Sequence, residues 1–132
     1  MRETRSALVT FEAGLLVVRI QPGVTQTLAD AQANIAACTA LSEGSRPGLL
    51  LDIRRAVPLD PPVRHFYTGA VIVDVCSALA LVVETNPLGR IMGNVYLRVA
   101  NPGVPTQVFD SERKALTWLR ARAPRPVGAV TG

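Results

Sequence analysis

The sequence predicts a single α/β domain, with a mainly parallel sheet and helices packed against it. Two continuous apolar runs, Leu49 to Ile53 and Ser77 to Val83, are typical of strands that are covered on both faces. Segments with the helical spacing of apolar residues separate these runs, and strands that alternate with helices favour a parallel sheet. The chain has 132 residues, of which 48% are apolar and 18% charged, so it suits one folded domain and is not disordered.

The first elements are two strands and a helix. Val9 to Glu12 and Leu15 to Ile20 predict a hairpin that turns at Ala13-Gly14. A helix follows from Thr27, which forms a box-like N-cap with Asp30 three residues later. The face of this helix that we expect to point into the core carries Leu28, Ala31, Ile35 and Cys38.

The middle of the chain contains the two covered strands and a helix between them. The first strand is broken only by Asp52, and the helix begins at Asp60-Pro61-Pro62. Asp60 can cap this helix, and proline at the first helical positions has no amide to lose. The residues that we expect this helix to bury are Phe66, Ala70 and Val73.

The last third predicts a helix, a short strand and a final helix. Asn86-Pro87 begins a helix that ends at Asn101-Pro102-Gly103, and Gln107 to Phe109 is a strand. Asp110 or Ser111 caps the final helix, whose buried residues are predicted to be Ala115, Trp118 and Leu119. The order is therefore ββαβαβαβα, with residues 1–122 forming the domain and residues 123–132 a flexible tail.

Composition and residue spacing exclude several classes of function. The net charge of +4 has only one local cluster, in the final helix and tail, which is typical of a solvated helix end and not of a nucleic-acid site. Cys38 and Cys76 lack metal-ligand spacing, and no phosphate-binding glycine motif is present, so we expect no metal and no cofactor. The longest apolar run, Ala78 to Val83, is too short to cross a bilayer, and no signal segment opens the chain. We therefore expect a cytoplasmic protein with buried, reduced thiols and no membrane insertion.

Several segments carry a resemblance to a known family. These are "GLLVVRI", "LLLDIRRA" leading through "LDPP" into a helix, "ALALVVETNPLGRIMGN" and "PTQVFDSERKALTWL". Together with the element order, they resemble the STAS domain of bacterial anti-sigma-factor antagonists and sulfate-transporter tails. They resemble still more the small bacterial STAS-like proteins of unassigned function that are sometimes grouped with the lipid-binding CRAL-TRIO fold. The resemblance covers roughly Leu8 to Arg122 and implies a single layered STAS-like domain.

The resemblance also implies a regulatory site at the turn after the mid-chain strand. In the antagonist branch, this turn carries an Asp-Ser-Ser-Gly-type motif whose serine is phosphorylated. Asp60 matches the aspartate of that motif, but Pro61 and Pro62 stand where the hydroxyl residues should be. Proline accepts no phosphate, so we expect a relative without the phosphorylation switch.

Candidate binding residues lie on the same turn and on the third predicted helix. Arg54, Arg55 and Arg64 flank the carboxyl end of the central strand, where open parallel sheets usually bind ligands. With Asp60 and Tyr67, they form the predicted partner-docking surface. A dimer or ligand face is predicted on the third helix at Ile91, Met92, Val95 and Tyr96.

The leading hypothesis is a non-enzymatic module that docks to a protein partner, as a homodimer. The alternative is a carrier or sensor of a small apolar or amphipathic ligand, suggested by the CRAL-TRIO resemblance and by the third helix. A third hypothesis is a small enzyme that uses Asp52 or His65. We expect Asp52 instead to pair with Arg54, Arg55 or a backbone donor, because a buried carboxylate needs a partner, and we predict no catalytic residue.

Overall fold

The fold is built on a six-stranded sheet, in which each strand lies beside the strand that precedes it in sequence. The computed structural model describes residues 1–86 and 103–122. The first three strands pair antiparallel and the last four pair parallel. The strands are β1 (Arg2–Glu3), β2 (Ala7–Glu12), β3 (Leu15–Ile20), β4 (Gly48–Asp52), β5 (Ala78–Val82) and β6 (Thr106–Phe109).

Helices cover both faces of this sheet. They are α1 (Leu28–Ser42), α2 (Pro61–Thr68), α3 (Val71–Val75) and α4 (Glu112–Arg122). The first face carries Val9, Leu16, Val18, Leu49, Leu79 and Leu81, and it packs against α1 and α3. The second face carries Leu15, Val17, Leu50, Ala78, Ala80 and Val82, and it packs against Ala115 and Leu119 of α4.

Strand register explains why β4 and β5 look continuously apolar in the sequence. Leu50 pairs with Ala80 on one face, and Leu51 pairs with Leu81 on the other. Every residue of β5 is buried, so both faces of this strand are covered. The predicted mainly parallel sheet with helices packed against it is therefore confirmed.

The hairpin and α1 follow their sequence signals. Ala13 and Gly14 both have positive φ, 51° and 79°, as in a two-residue turn that suits the twist of paired strands. The Thr27 side chain accepts from the Asp30 amide at 3.1 Å, and the Asp30 carboxylate accepts from the Thr27 amide at 2.8 Å. The predicted capping box is confirmed.

Three predictions about the extent and the buried faces of the helices are wrong. Leu28 is exposed, whereas Asp30 and Asn34 are buried, because polar partners on neighbouring loops engage this face of α1. The second predicted helix is two helices, because α2 ends at Thr68 with Gly69 as its C-cap residue, and glycine is a poor helix former. This break leaves Ala70 and Val73 exposed instead of buried.

Cap geometry differs from expectation at α2 as well. Asp60 is the N-cap residue of α2, but its side chain makes no capping hydrogen bond. In α4, Ser111 is the residue that caps, since its Oγ accepts from the Lys114 amide at 3.2 Å. Trp118 is only partly buried and packs on Phe109 with ring centroids 5.7 Å apart.

Part of the predicted order falls where the structure gives no description. The helix predicted between Asn86-Pro87 and Asn101-Pro102-Gly103, with Ile91, Met92, Val95 and Tyr96, lies outside the described residues, as does the predicted tail 123–132. Strand β1 was not predicted, because its two exposed charged residues carry no apolar pattern. Within residues 1–86 and 103–122, no helix has the length and apolarity needed to cross a membrane.

Candidate functional site

The carboxyl ends of β3 and β4 border a cavity of about 350 Å³. Because these strands are parallel, the residues that follow them meet at one edge of the sheet. The lining is Leu8, Arg19, Ile20, Gln21, Pro22, Asp52, Arg54 and Arg55. The site is therefore built from the end of the hairpin and from the start of the predicted docking turn.

Four charged side chains form a network at this edge, which we call the edge network: Arg19, Asp52, Arg54 and Glu112. The register of β3 and β4 places Arg19 directly opposite Asp52. Arg54 donates to Asp52 from Nε at 3.0 Å and from Nη2 at 2.7 Å, and it donates from Nη2 to Glu112 at 3.0 Å. Arg19 donates from Nη2 to Glu112 Oε1 at 2.8 Å. Glu112 is the first residue of α4, so the network ties the helix on the second face to two strands.

The predicted pairing of Asp52 is confirmed by this network. Its Oδ1 also accepts from the Arg54 amide at 3.1 Å. Burial alone would raise the pKa of Asp52, but the hydrogen bonds and charge of Arg54, with a contribution from Arg19, outweigh it and lower the pKa. Hydrogen bonding to Asp52 and to Glu112 raises the pKa of Arg54 and of Arg19 respectively. Asp52 is thus an ionised structural partner of Arg54.

The segment that follows, residues 54–67, is the rim of the sheet edge. Arg55, Pro58, Asp60, Pro61 and Pro62 are exposed along it. Arg55 has no hydrogen bond or ion pair with any other described residue. The rim therefore presents a cation and three prolines outward, beside the cavity.

Two of the predicted docking residues, Arg64 and Tyr67, lie on α2 and are partly buried. Arg64 is half-buried, and its Nε has no hydrogen-bond partner within the part of the chain that the structure describes. Tyr67 points inward, where its hydroxyl donates to Gln26 Oε1 at 2.5 Å and accepts from Asn34 Nδ2 at 3.0 Å. Burial raises the pKa of Tyr67 to about 12. Tyr67 is therefore partly buried, and its hydroxyl anchors the rim.

The partners of Tyr67 belong to a polar cluster, formed by Thr4, Ser6, Gln26, Asn34 and Tyr67. Asn34 lies at its centre, 2% exposed: its Oδ1 accepts from Thr4 Oγ1 at 2.5 Å, and its Nδ2 donates to Ser6 Oγ at 2.9 Å. The cluster joins the N-terminal loop, the loop before α1, α1 itself and α2. Next to it, Arg5 forms an ion pair with Asp30, which lowers the pKa of that carboxyl.

The structure thus divides the predicted docking residues into two sets. Arg54, Arg55 and Asp60 lie on or beside the exposed part of the rim, whereas Arg64 and Tyr67 are held partly inside. Whether any of them contacts a partner stays a prediction. His65, considered above as a possible base, is exposed on α2.

Sequence reasoning missed Arg19, Glu112 and Asn34. One signal was available for Arg19, which has the same strand parity as the apolar residues Leu15 and Val17. No local pattern links Arg19 to Glu112, which lies 93 residues further along the chain. Asn34 stands in an Ala-rich stretch where the helical period alone cannot identify a buried amide.

The described residues contain no cluster of three or more histidine, cysteine or acidic side chains suited to holding a metal. Cys38 and Cys76 are free thiols that lie buried in the core under the first face. Burial raises the pKa of each to about 12, so they are neutral at physiological pH. The polar groups that the edge cavity itself presents are the guanidinium groups of Arg19, Arg54 and Arg55, the Asp52 carboxylate and the Gln21 amide.

Comparison with known proteins identifies a family that matches most of the chain. A family described as a domain of unknown function, DUF7793, matches residues 9–122. No curated protein matches the chain. A crystal structure of an anti-sigma factor antagonist from Mycobacterium paratuberculosis is similar in fold, with a TM-score of 0.60 and 20% identity over 87% of this chain and 93% of that one.

A second solved structure agrees with the first. It is an uncharacterised protein from the DUF3478 family, with a SpoIIAA-like fold, from Shewanella loihica PV-4. Its TM-score is 0.59, with 17% identity over 90% of this chain and 98% of that chain. Identities this low establish the fold alone. The predicted STAS-like fold is confirmed, and the chain belongs to the DUF7793 family of domains of unknown function.

Proposed function

We propose that this protein is a non-enzymatic regulatory module that docks to another protein through the rim. The observation that carries the proposal is the segment from Arg55 to Pro62, which has five exposed residues, stands beside a charged cavity and is fixed on both sides. The edge network holds Arg54 at one end, and the polar cluster holds Tyr67 at the other. The fold that it shares with an anti-sigma factor antagonist, a class of protein that acts on a protein partner, supports this assignment.

We infer that this docking works without a phosphorylated serine on the rim. Residues 53–62, "IRRAVPLDPP", contain no hydroxyl side chain, and α2 begins at the two prolines. A phosphate group therefore has no acceptor at the start of α2. Docking to this rim would then depend on the concentration of the partner and not on phosphorylation of the rim.

The geometry of Asp52 supports a non-enzymatic role. A carboxylate that acts as a general acid or base needs an oxygen that is available to the substrate and a protonation state that can change near neutral pH. Both oxygens of Asp52 accept from Arg54, and the pKa is lowered. This carboxylate is suited to holding the rim in place.

We also infer a homodimer and a cytoplasmic location. The low charged fraction of 18% leaves apolar surface for an interface, and the two free, buried thiols suit a reducing compartment. Sedimentation equilibrium tests the dimer. A monomer mass at all accessible concentrations would contradict it.

Affinity capture from the source cells tests the docking function. The tagged wild-type protein should retain a specific protein that mass spectrometry identifies. Arg55→Glu should lose this protein, because the substitution reverses a charge that is exposed and makes no described contact. Changing Arg54 is less informative, since it would also break the edge network.

Arg120→Glu is the matched control. Arg120 is exposed on α4, and its neighbour Leu119 lies near Gly48, at the start of β4 and thus at the end of the sheet away from the rim. The proposal expects Arg120→Glu to retain the captured protein as the wild type does. Equal retention by Arg55→Glu would refute the rim as the docking surface.

The alternative function, a carrier of an apolar ligand, has less support. Its predicted binding residues, Ile91, Met92, Val95 and Tyr96, lie outside the described part of the chain. The cavity at the carboxyl edge has three arginines and one aspartate in its lining, which suits a charged group better than an acyl chain.

A further inference from the structure

The edge cavity combines positive charge with apolar surface. Its lining contains three arginines, one aspartate and one glutamine. The remaining lining residues are apolar: Leu8, Ile20 and Pro22. A group that fills this cavity should therefore carry negative charge next to an aliphatic portion.

Most of the charge at the cavity is already neutralised within the edge network. Arg54 is shared between Asp52 and Glu112, and Glu112 is shared between Arg54 and Arg19. Two guanidinium groups thus face two carboxylates. None of these four groups needs an outside partner, and their mutual contacts fix the shape of the cavity wall.

Arg55 is the arginine of the cavity lining that does not take part in the edge network. It lines the cavity, it is exposed, and it has no described hydrogen bond or ion pair. Glu12 and Glu84 attract Arg19 and Arg54 at longer range, but neither lines the cavity. Of the three arginines that line the cavity, Arg19 and Arg54 are ion-paired with Asp52 or Glu112, so Arg55 is the one without a carboxylate partner among the described residues.

We propose that the cavity receives an acidic side chain of the protein partner, which pairs with Arg55 while the adjacent aliphatic residue packs on Leu8 and Pro22. This inference rests on the proposed docking function and names the chemistry of the partner. The guanidinium fork matches a carboxylate with two parallel hydrogen bonds. A volume of about 350 Å³ lies at the small end of ligand pockets, so it suits one or two side chains.

Nuclear magnetic resonance with a short probe tests the inference directly. The probe is the blocked dipeptide acetyl-Glu-Leu-amide, with acetyl-Gln-Leu-amide as the uncharged match. The charged probe at millimolar concentration should shift the backbone amide signals of residues 19–21 and 52–55. The glutamine probe should leave them in place, and added salt should weaken the binding of the charged probe.

Two variants locate the binding. Arg55→Gln should weaken binding of acetyl-Glu-Leu-amide about tenfold, the usual scale for loss of a charged hydrogen-bonded pair. Arg120→Gln, at the far end of the sheet, should leave the affinity unchanged. Since neither arginine makes a described contact that the fold needs, both variants should melt at the wild-type temperature.

Three results with the dipeptides and the variants would overturn the inference. They are no shift at residues 19–21 and 52–55, equal binding of the two dipeptides, and equal weakening by the two variants. Sulfate that shifts the same signals as strongly as the charged dipeptide would also overturn it, because the cavity would then select a small anion. Capture that depends on Arg55 without dipeptide binding would leave the docking function standing and reject the acidic side chain. Dipeptide binding without any captured partner would support the acidic preference and count against docking.

Discussion

Replacement of Asn34 by alanine tests the polar cluster that fixes the far end of the rim. Asn34 is 2% exposed, and its side chain hydrogen-bonds Thr4, Ser6 and Tyr67. Each such bond contributes about 1 kcal/mol net, so Asn34→Ala should lower the free energy of unfolding by about 3 kcal/mol. For a chain of this length, the melting temperature should fall by about 10 °C.

Urea denaturation and thermal melting measure the loss, with Gln32→Ala as the matched control. Gln32 carries the same amide group on the exposed side of α1, so its removal should change the stability by no more than about 0.5 kcal/mol. A loss below about 1 kcal/mol for Asn34→Ala, or equal losses for the two variants, would refute the claim that the cluster stabilises the fold.

A double-mutant cycle isolates the contact between Asn34 and Tyr67. The single variants Asn34→Ala and Tyr67→Phe and the double variant should give a coupling energy of about 1 kcal/mol, since the two side chains are bonded at 3.0 Å. Hydrogen exchange should also become faster in α2 when either partner is removed, because α2 loses its anchor to α1. Additive losses with unchanged exchange in α2 would contradict this anchoring role.

Three further predictions test the core, the edge network and the thiols. Leu119→Ala should cost about 2–5 kcal/mol in urea denaturation, because Leu119 is fully buried on the second face, while Arg120→Ala should cost little; equal costs would contradict the packing of α4. The folded-state pKa of Asp52 is lowered, so its stabilisation is present above the unfolded pKa near 4 and is lost as the pH falls. The free energy of unfolding should therefore decrease from pH 7 to pH 3 with a smaller slope in Asp52→Asn, and an unchanged slope would contradict this. Burial raises the pKa of Cys38 and Cys76 to about 12, so a thiol reagent at pH 8 should label both only after unfolding.

The layers of the fold could be predicted because a strand that is buried on both faces appears in the sequence as a continuous run of apolar residues. Leu79 and Ala80 point to opposite sides of the sheet, yet both are buried, so β5 had to be a covered strand. The capping box of α1 was also predictable, since Thr27 and Asp30 interact across one helical turn. Features of this kind depend on residues that are close in sequence.

The candidate site was less predictable because its contacts are distant in sequence. The pairing of Asp52 with Arg54 spans two residues and was one of the three predicted alternatives. The hydrogen bonds of Glu112 to Arg54 and Arg19 span 58 and 93 residues. Helical spacing assigned Leu28 to the core although it is exposed. The apolar period could not show that polar partners from two loops would bury Asn34 instead.

The anchoring of the rim on both sides affects the affinity that the rim could have for a protein partner. A loop that becomes ordered on binding loses conformational entropy, which subtracts from the affinity. Here Arg54 is held by two carboxylates and Tyr67 by two amides, and Pro58, Pro61 and Pro62 restrict the backbone between them. The rim is therefore largely ordered before any partner arrives. If a partner docks at the rim as proposed, the same restriction of the backbone would favour surfaces that already fit it.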